Sequence, residues 1–165
     1  MERWQRIDEA SDARAAAELR VCCGSPLWVE RMLPLRPFGS LEAARTAARD
    51  VGFALPAEEW KIAFGHHPRI GDVEAVRAKF GGASAAREQA GVTGADVSVL
   101  RALVDANREY EARFGYIFIV CATGRTAGHL LDILRSRLRN DPADEILIAA
   151  REHAKITDLR LAATV

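Results

Sequence analysis

His67 stands immediately before Pro68 and shortly before Gly71. Proline has no amide donor, fixes its own φ and biases the residue before it towards an extended backbone. Gly71 lets the chain turn tightly. A histidine in such a loop is aimed in a set direction, and imidazole titrates near neutral pH, which suits it to give or take a proton in a reaction. His66 is the alternative base. Neighbours in an extended stretch point opposite ways, so one small pocket is expected to receive only one of the two, and spacing does not choose between them.

Two further segments bear chemistry. Glu88 and Gln89 lie side by side on an expected short helix, where a carboxylate and an amide offer an acceptor and a two-way hydrogen-bonding group. A urea- or hydantoin-like substrate, with alternating N–H and C=O groups, matches that pair. The stretch Gly115 to Gly124 offers apolar walls and backbone amides beside glycine, and such amides can hold a carboxylate or a developing oxyanion. Taken singly, a loop-completing histidine, an exposed helix end or a buried core segment would look the same.

Metal chemistry lacks its usual spacing. The 4 histidines form no HExxH, the 3 cysteines form no CxxC, and no phosphate loop of Walker or Rossmann pattern occurs. His129 and His153, alone on expected helices, read as core or surface residues. The chemistry is therefore expected from side chains alone, with no metal and no organic cofactor.

The elements that must position these groups read almost entirely as helix. Ser11 caps Asp12 to Cys23, stopped by Gly24-Ser25-Pro26. A short helix covers Leu27 to Leu33. Ser40 caps Leu41 to Val51, with Gly52 in the left-handed closing position. Pro56 opens Glu58 to Phe64. From Gly65 to Gly94 only short helices fit, around Asp72 to Phe80 and Ala83 to Gln89, and irregular stretches of that length are often functional. Ala95 to Phe114 carries an apolar stripe of Val97, Leu100, Val104, Tyr110 and Phe114. Tyr116 to Ala122 is a strand or a buried helical turn; periodicity leaves both open. Thr126 to Leu138 and Pro142 to Leu161 close an all-α fold, a single domain over 1–165.

Composition narrows the classes. At 165 residues, 49% hydrophobic and 28% charged, the chain has the make-up of an ordinary globular domain. Lys plus Arg and Asp plus Glu are each 23, so there is no basic excess to attract nucleic acid. Arg135, Arg137, Arg139 and Arg151 are expected on a solvated surface. Adjacent Cys22 and Cys23 with Cys121 do not make a disulfide framework, which favours a reducing, cytoplasmic setting. No apolar run approaches a membrane span, MERWQRIDEASD lacks a signal-peptide pattern, and LAATV is not a peroxisomal address.

The motifs together resemble the family of 2-oxo-4-hydroxy-4-carboxy-5-ureidoimidazoline (OHCU) decarboxylases. The matching words are RPF at Arg36 to Phe38, HPRIG at His67 to Gly71, REQAG at Arg87 to Gly91 and NREYEARFGYIFIVCATGR at Asn107 to Arg125. RLRND at Arg137 to Asp141 and KITDLRL at Lys155 to Leu161 complete them, in the family's order. The resemblance implies an all-α, cofactor-free homodimer acting on OHCU to form (S)-allantoin, at the end of urate degradation. It selects His67 over His66, with Glu88 as the second catalytic group. It makes Pro68, Gln89, Phe118, Ile119, Val120, Cys121, Ala122 and Arg160 substrate-binding positions. The family's serine position is Ala85 here. Ser84, a helical step of roughly 100° away, either substitutes through a shifted loop or leaves one substrate contact unmade. Ala85 thus favours a second reading, a decarboxylase or lyase of a related ureido acid. A third, a non-catalytic helical interaction module, would make His67 structural.

Overall fold

The computed structural model describes residues 1–69 and 94–165, and among these every regular element longer than one turn is an α-helix. They are α1 (Arg3–Glu9), α2 (Asp12–Cys22), α3 (Pro26–Met32), α4 (Leu41–Phe53), α5 (Ala57–Gly65), α6 (Gly94–Phe114), α7 (Ala127–Arg137) and α8 (Pro142–Ala162). The expected short helices around 72–80 and 83–89 lie outside the described residues, as do Ser84, Ala85, Glu88 and Gln89. The chain divides into two compact units. One comprises Met1–His67, Ile119–Cys121 and Ile146–Val165, the other Pro68–Phe118 and Ala122–Glu145.

In the first unit α1 packs on α2, α2 on α3 and α3 on α4. Ile7, Leu19, Trp28, Met32 and Leu161 are buried at their centre. Removing such side chains from water stabilises by about 1.5–3 kcal/mol each. Trp28 is wholly covered, yet its indole N–H donates to the Ala48 carbonyl at 3.1 Å, so no polar cost attaches to burying it. Ser25 starts α3 by accepting from the Trp28 amide at 3.1 Å. The word RPF has a structural use. The Arg36 guanidinium donates to the Ile7 and Ala10 carbonyls at 2.7 and 3.0 Å and pairs with Asp12, satisfying the end of α1.

The expected elements meet three differences. Helix α1 is new, and its N-terminus is closed by the Glu2 amide donating to the Gln5 side chain at 2.9 Å rather than by a Ser or Thr cap. Gly52 does not close α4 in a left-handed turn. The helix continues to Phe53, and the Gly52 carbonyl accepts the Trp60 indole at 2.8 Å. The run 117–122 is neither strand nor helix; it carries no regular secondary structure between Gly115 (φ +82°), which ends α6, and Gly124 (φ +74°).

In the second unit α6 packs on α7. Arg137, expected on a solvated surface, is instead buried at 5% exposure beside the wholly buried Glu145. Glu145 accepts from Arg137 and from the Tyr110 hydroxyl at 2.6 Å each, and from Asn140 at 2.9 Å. The guanidinium lies over the Phe118 ring at 4.6 Å. A charge pair so deep is tolerated because the carboxylate accepts from these three donors and the cation lies over aromatic ring faces.

All three cysteines are free thiols. Burial pushes Cys22 up to about 12 and Cys23 up to about 11, while Cys121 is half-buried. Thiolate is the reactive form, so a disulfide reagent at pH 8 is expected to titrate Cys121 alone in the folded chain and all three thiols in denaturant. Rapid labelling of three thiols in native protein would contradict this burial.

Candidate functional site

The end of α5 aims the two adjacent histidines apart. His66 packs against Gly24, where an added Cβ would lie 2.3 Å from the His66 Cγ. His67 donates its amide to the Phe64 carbonyl at 3.1 Å, and its half-buried ring turns to α8. There Arg160 Nη2 lies 3.4 Å from His67 Nδ1. Guanidinium donates and never accepts, so Nδ1 accepts and the proton of the neutral ring sits on Nε2. Arg160 is itself held, donating from Nη1 to the Val21 and Cys22 carbonyls at 3.0 and 3.4 Å at the end of α2.

His153, Thr157 and Arg160 recur at four- and three-residue spacing, one face of α8. The His153 ring meets that of His67 edge to face, centroids 5.0 Å apart and planes at 85°, and meets Phe64 at 5.7 Å. Thr157 fixes the turn between them by donating to the Cys22 and His153 carbonyls at 3.3 and 3.2 Å. His153 is 7% exposed, and it also lines an apolar cavity of about 30 Å³ with Trp28, Trp60 and Phe64, room for roughly one water molecule.

Burial, then the neighbouring His67 and Arg160, push His153 down from 6.5 to about 3. The folded value is depressed, so below pH 6.5 the unfolded chain gains a proton that the folded chain does not. The stability due to a neutral His153 is therefore complete above that pH and is lost as pH falls towards 3. At pH 5 the loss is about 2 kcal/mol. Urea unfolding of wild type and His153→Phe at pH 8 and pH 5 should show the phenylalanine variant losing that much less on acidification. Equal losses would mean that His153 titrates as it does in the unfolded chain.

Of the other expected site residues, Ile119, Val120 and Cys121 belong to the same unit as His67 and Arg160. Ile119 is buried, and the Cys121 amide donates to Glu152 Oε1 at 3.3 Å. Pro68, Phe118 and Ala122 belong to the second unit, where the Phe118 ring packs on Tyr110 at 5.3 Å. That side chain is spent on the core. His129 is exposed on the first turn of α7. The reading of His153 as a core or surface residue agrees with its burial, whereas its contact with His67, the Glu152 bond and the tight approach at Gly24 were not foreseen. The spacing of His153, Thr157 and Arg160 along one helix face was the available signal for the first.

Comparison with known proteins bears on the family and the fold. The family model described as OHCU decarboxylase matches residues 8–162. The chain is 38% identical over 148 residues, 88% of its length, to the uric acid degradation bifunctional protein TTL of Arabidopsis thaliana, of which it covers 45%. It is 38% identical over 73 residues to the 2-oxo-4-hydroxy-4-carboxy-5-ureidoimidazoline decarboxylase of Amia calva, covering 42% of that protein. It is 26% identical to the decarboxylase of the same name from Xenopus laevis, covering 78% of it. The chain thus spans less than half the length of the first two relatives. A crystal structure of an OHCU decarboxylase in the presence of (S)-allantoin superposes with a TM-score of 0.72 at 34% identity, covering 93% of this chain and 96% of that one. A structure of an (S)-allantoin synthase shares the fold at TM-score 0.70 and 16% identity. With a match running through all but a few residues at each end, this chain belongs to the OHCU decarboxylase family.

Proposed function

We propose that the chain is a carboxy-lyase that decarboxylates 2-oxo-4-hydroxy-4-carboxy-5-ureidoimidazoline to (S)-allantoin, closing the degradation of urate. The observation that carries the chemistry is the 3.4 Å approach of Arg160, a pure donor, to His67 Nδ1. It assigns the relay of a proton to Nε2 rather than Nδ1. The substrate holds its carboxylate on a carbon that also bears a hydroxyl and adjoins an unsaturated ring carbon. The C–CO₂⁻ bond breaks, CO₂ departs, and its electron pair moves into the neighbouring C=N or C=O. The hydroxyl then gives up its proton and becomes a ring carbonyl, and His67 relays one proton to one face of the adjacent, formerly unsaturated carbon, which sets the handedness of the product.

Glu88 orients the substrate or tunes the imidazole in this reading. Gln89, Ser84, Pro68 and Arg160 bind the ureido and carboxylate groups, and backbone amides from Phe118 through Ile119, Val120 and Cys121 to Ala122 bind ring carbonyls. No cofactor is required, since the substrate's own unsaturation accepts the electrons. The family model running from 8 to 162 supports one domain through both units. Cytoplasmic residence and a homodimer belong to the same proposal, the latter to be checked by light scattering. No described helix is long and apolar enough to cross a membrane.

The test is to generate OHCU freshly in the cuvette and follow optical activity with and without the chain. Rapid formation of (S)-allantoin is expected. Racemic product at the uncatalysed rate would end this reading, and a preference for a related ureido acid would favour the second one, which Ala85 motivates.

A further inference from the structure

We propose that His153 is a positioning residue for His67. Its flat ring forms the wall that holds the His67 imidazole in one plane while Arg160 occupies Nδ1. The kinetic part of this inference rests on the decarboxylase reading; the geometric part does not.

A single hydrogen bond leaves an imidazole free to pivot about the donor. The ring of His67 instead meets α8 at two separated points, a hydrogen bond at 3.4 Å to Arg160 and an edge-to-face contact at 5.0 Å with His153. Two contacts from one rigid element fix both the direction and the tilt of the ring. The element itself is secured. Thr157, between the two residues on that face, and Arg160 both donate to the carbonyls that end α2, and Phe64 backs the His153 ring at 5.7 Å.

What His153 contributes is shape. Its Nε2 is buried and has no hydrogen-bond partner among the described residues, so that nitrogen does not do the holding. Nor does the ring bring charge to the site. Burial, then the neighbouring His67 and Arg160, disfavour the imidazolium of His153. A proton donor held to one direction reaches one face of a planar carbon; a donor that pivots reaches neither efficiently.

The experiment uses the full chain with nitrogen-15 in its histidine rings. In wild type and in His153→Phe, the His67 signals of the neutral ring should report protonated Nε2 and unprotonated Nδ1. In His153→Ala they should report a mixture of tautomers. On OHCU, the alanine variant should lose about 10- to 100-fold in kcat with KM within about twofold, while phenylalanine stays within about threefold. Unaltered His67 signals in the alanine variant would overturn the proposal, as would a phenylalanine variant that loses as much as alanine. If the alanine variant does not fold, His153→Leu takes its place. It fills the volume without a flat face and should also mix the tautomers, and wild-type signals there overturn the idea. A wild type that fixes the His67 tautomer but turns over no OHCU would sink the functional reading while upholding the positioning.

Discussion

His67→Asn should lower kcat for (S)-allantoin formation by about 10²–10⁴-fold, the span a positioned general acid contributes, while leaving the fold in place. Asparagine keeps a polar group of similar reach, and its amide can still accept from Arg160, so the hydrogen bond at the end of α5 has a replacement. What it lacks is a ring nitrogen that can take up and pass on a proton near neutral pH. Loss of CO₂ would then be followed by protonation from water, which approaches both faces of the carbon. The variant should therefore lose handedness together with rate, and circular dichroism reads both in one trace. Retention of wild-type rate and of single-handed product removes His67 from the mechanism. A loss of far-ultraviolet signal would instead indicate damage to the fold, which the half-buried position of the ring does not predict.

Glu145→Ala should destabilise the chain by about 3–5 kcal/mol, the usual cost of leaving a buried cation without its partner. The carboxylate is fully covered and answers three donors, Tyr110, Arg137 and Asn140. It also lies in the first turn of α8, where a negative charge favours the helix. Without it, Arg137 loses this carboxylate, while the Tyr110 and Phe118 ring faces stay. At roughly 2–4 °C per kcal/mol for a chain of this size, the melting temperature should fall by about 6–20 °C. Replacing both residues by apolar ones, Arg137→Met with Glu145→Leu, should recover much of the loss. A single variant that melts within about 2 °C of wild type would show that the pair contributes little.

Those two residues also show what the sequence could and could not disclose. Helix boundaries for α2 to α8 followed from Ser, Pro and Gly punctuation and from apolar spacing, because caps and periodicity are local properties. Helix α1 escaped because its closure uses Glu2 and Gln5, a pairing with no strong signature. The words NREYEARFGYIF and RLRND were legible as a family pattern, yet several of their residues, Tyr110, Phe118, Arg137 and Asn140, are joined around Glu145. An arginine read by composition as solvated is buried because its counter-ion lies eight residues along the chain, on the next helix. The meeting of His67 with Arg160 was implied by resemblance alone. Nothing in either local segment dictates that residues 93 apart should approach. The contact of His153 with His67 was missed for the same reason, since it depends on a ring contributed by another helix.

Gly24 has a bearing on how this chain can vary. Any side chain there begins with an atom that would overlap the ring of His66, whereas Gly65, on the other side of that histidine, has open space around it. A saturation library should thus find position 65 permissive and position 24 closed to the nineteen alternatives. Variants recovered at 24 should carry a second change that shrinks residue 66. The neighbour of His67 is in this sense a doorstop, and the absence of a methyl group on a distant turn sets where it rests.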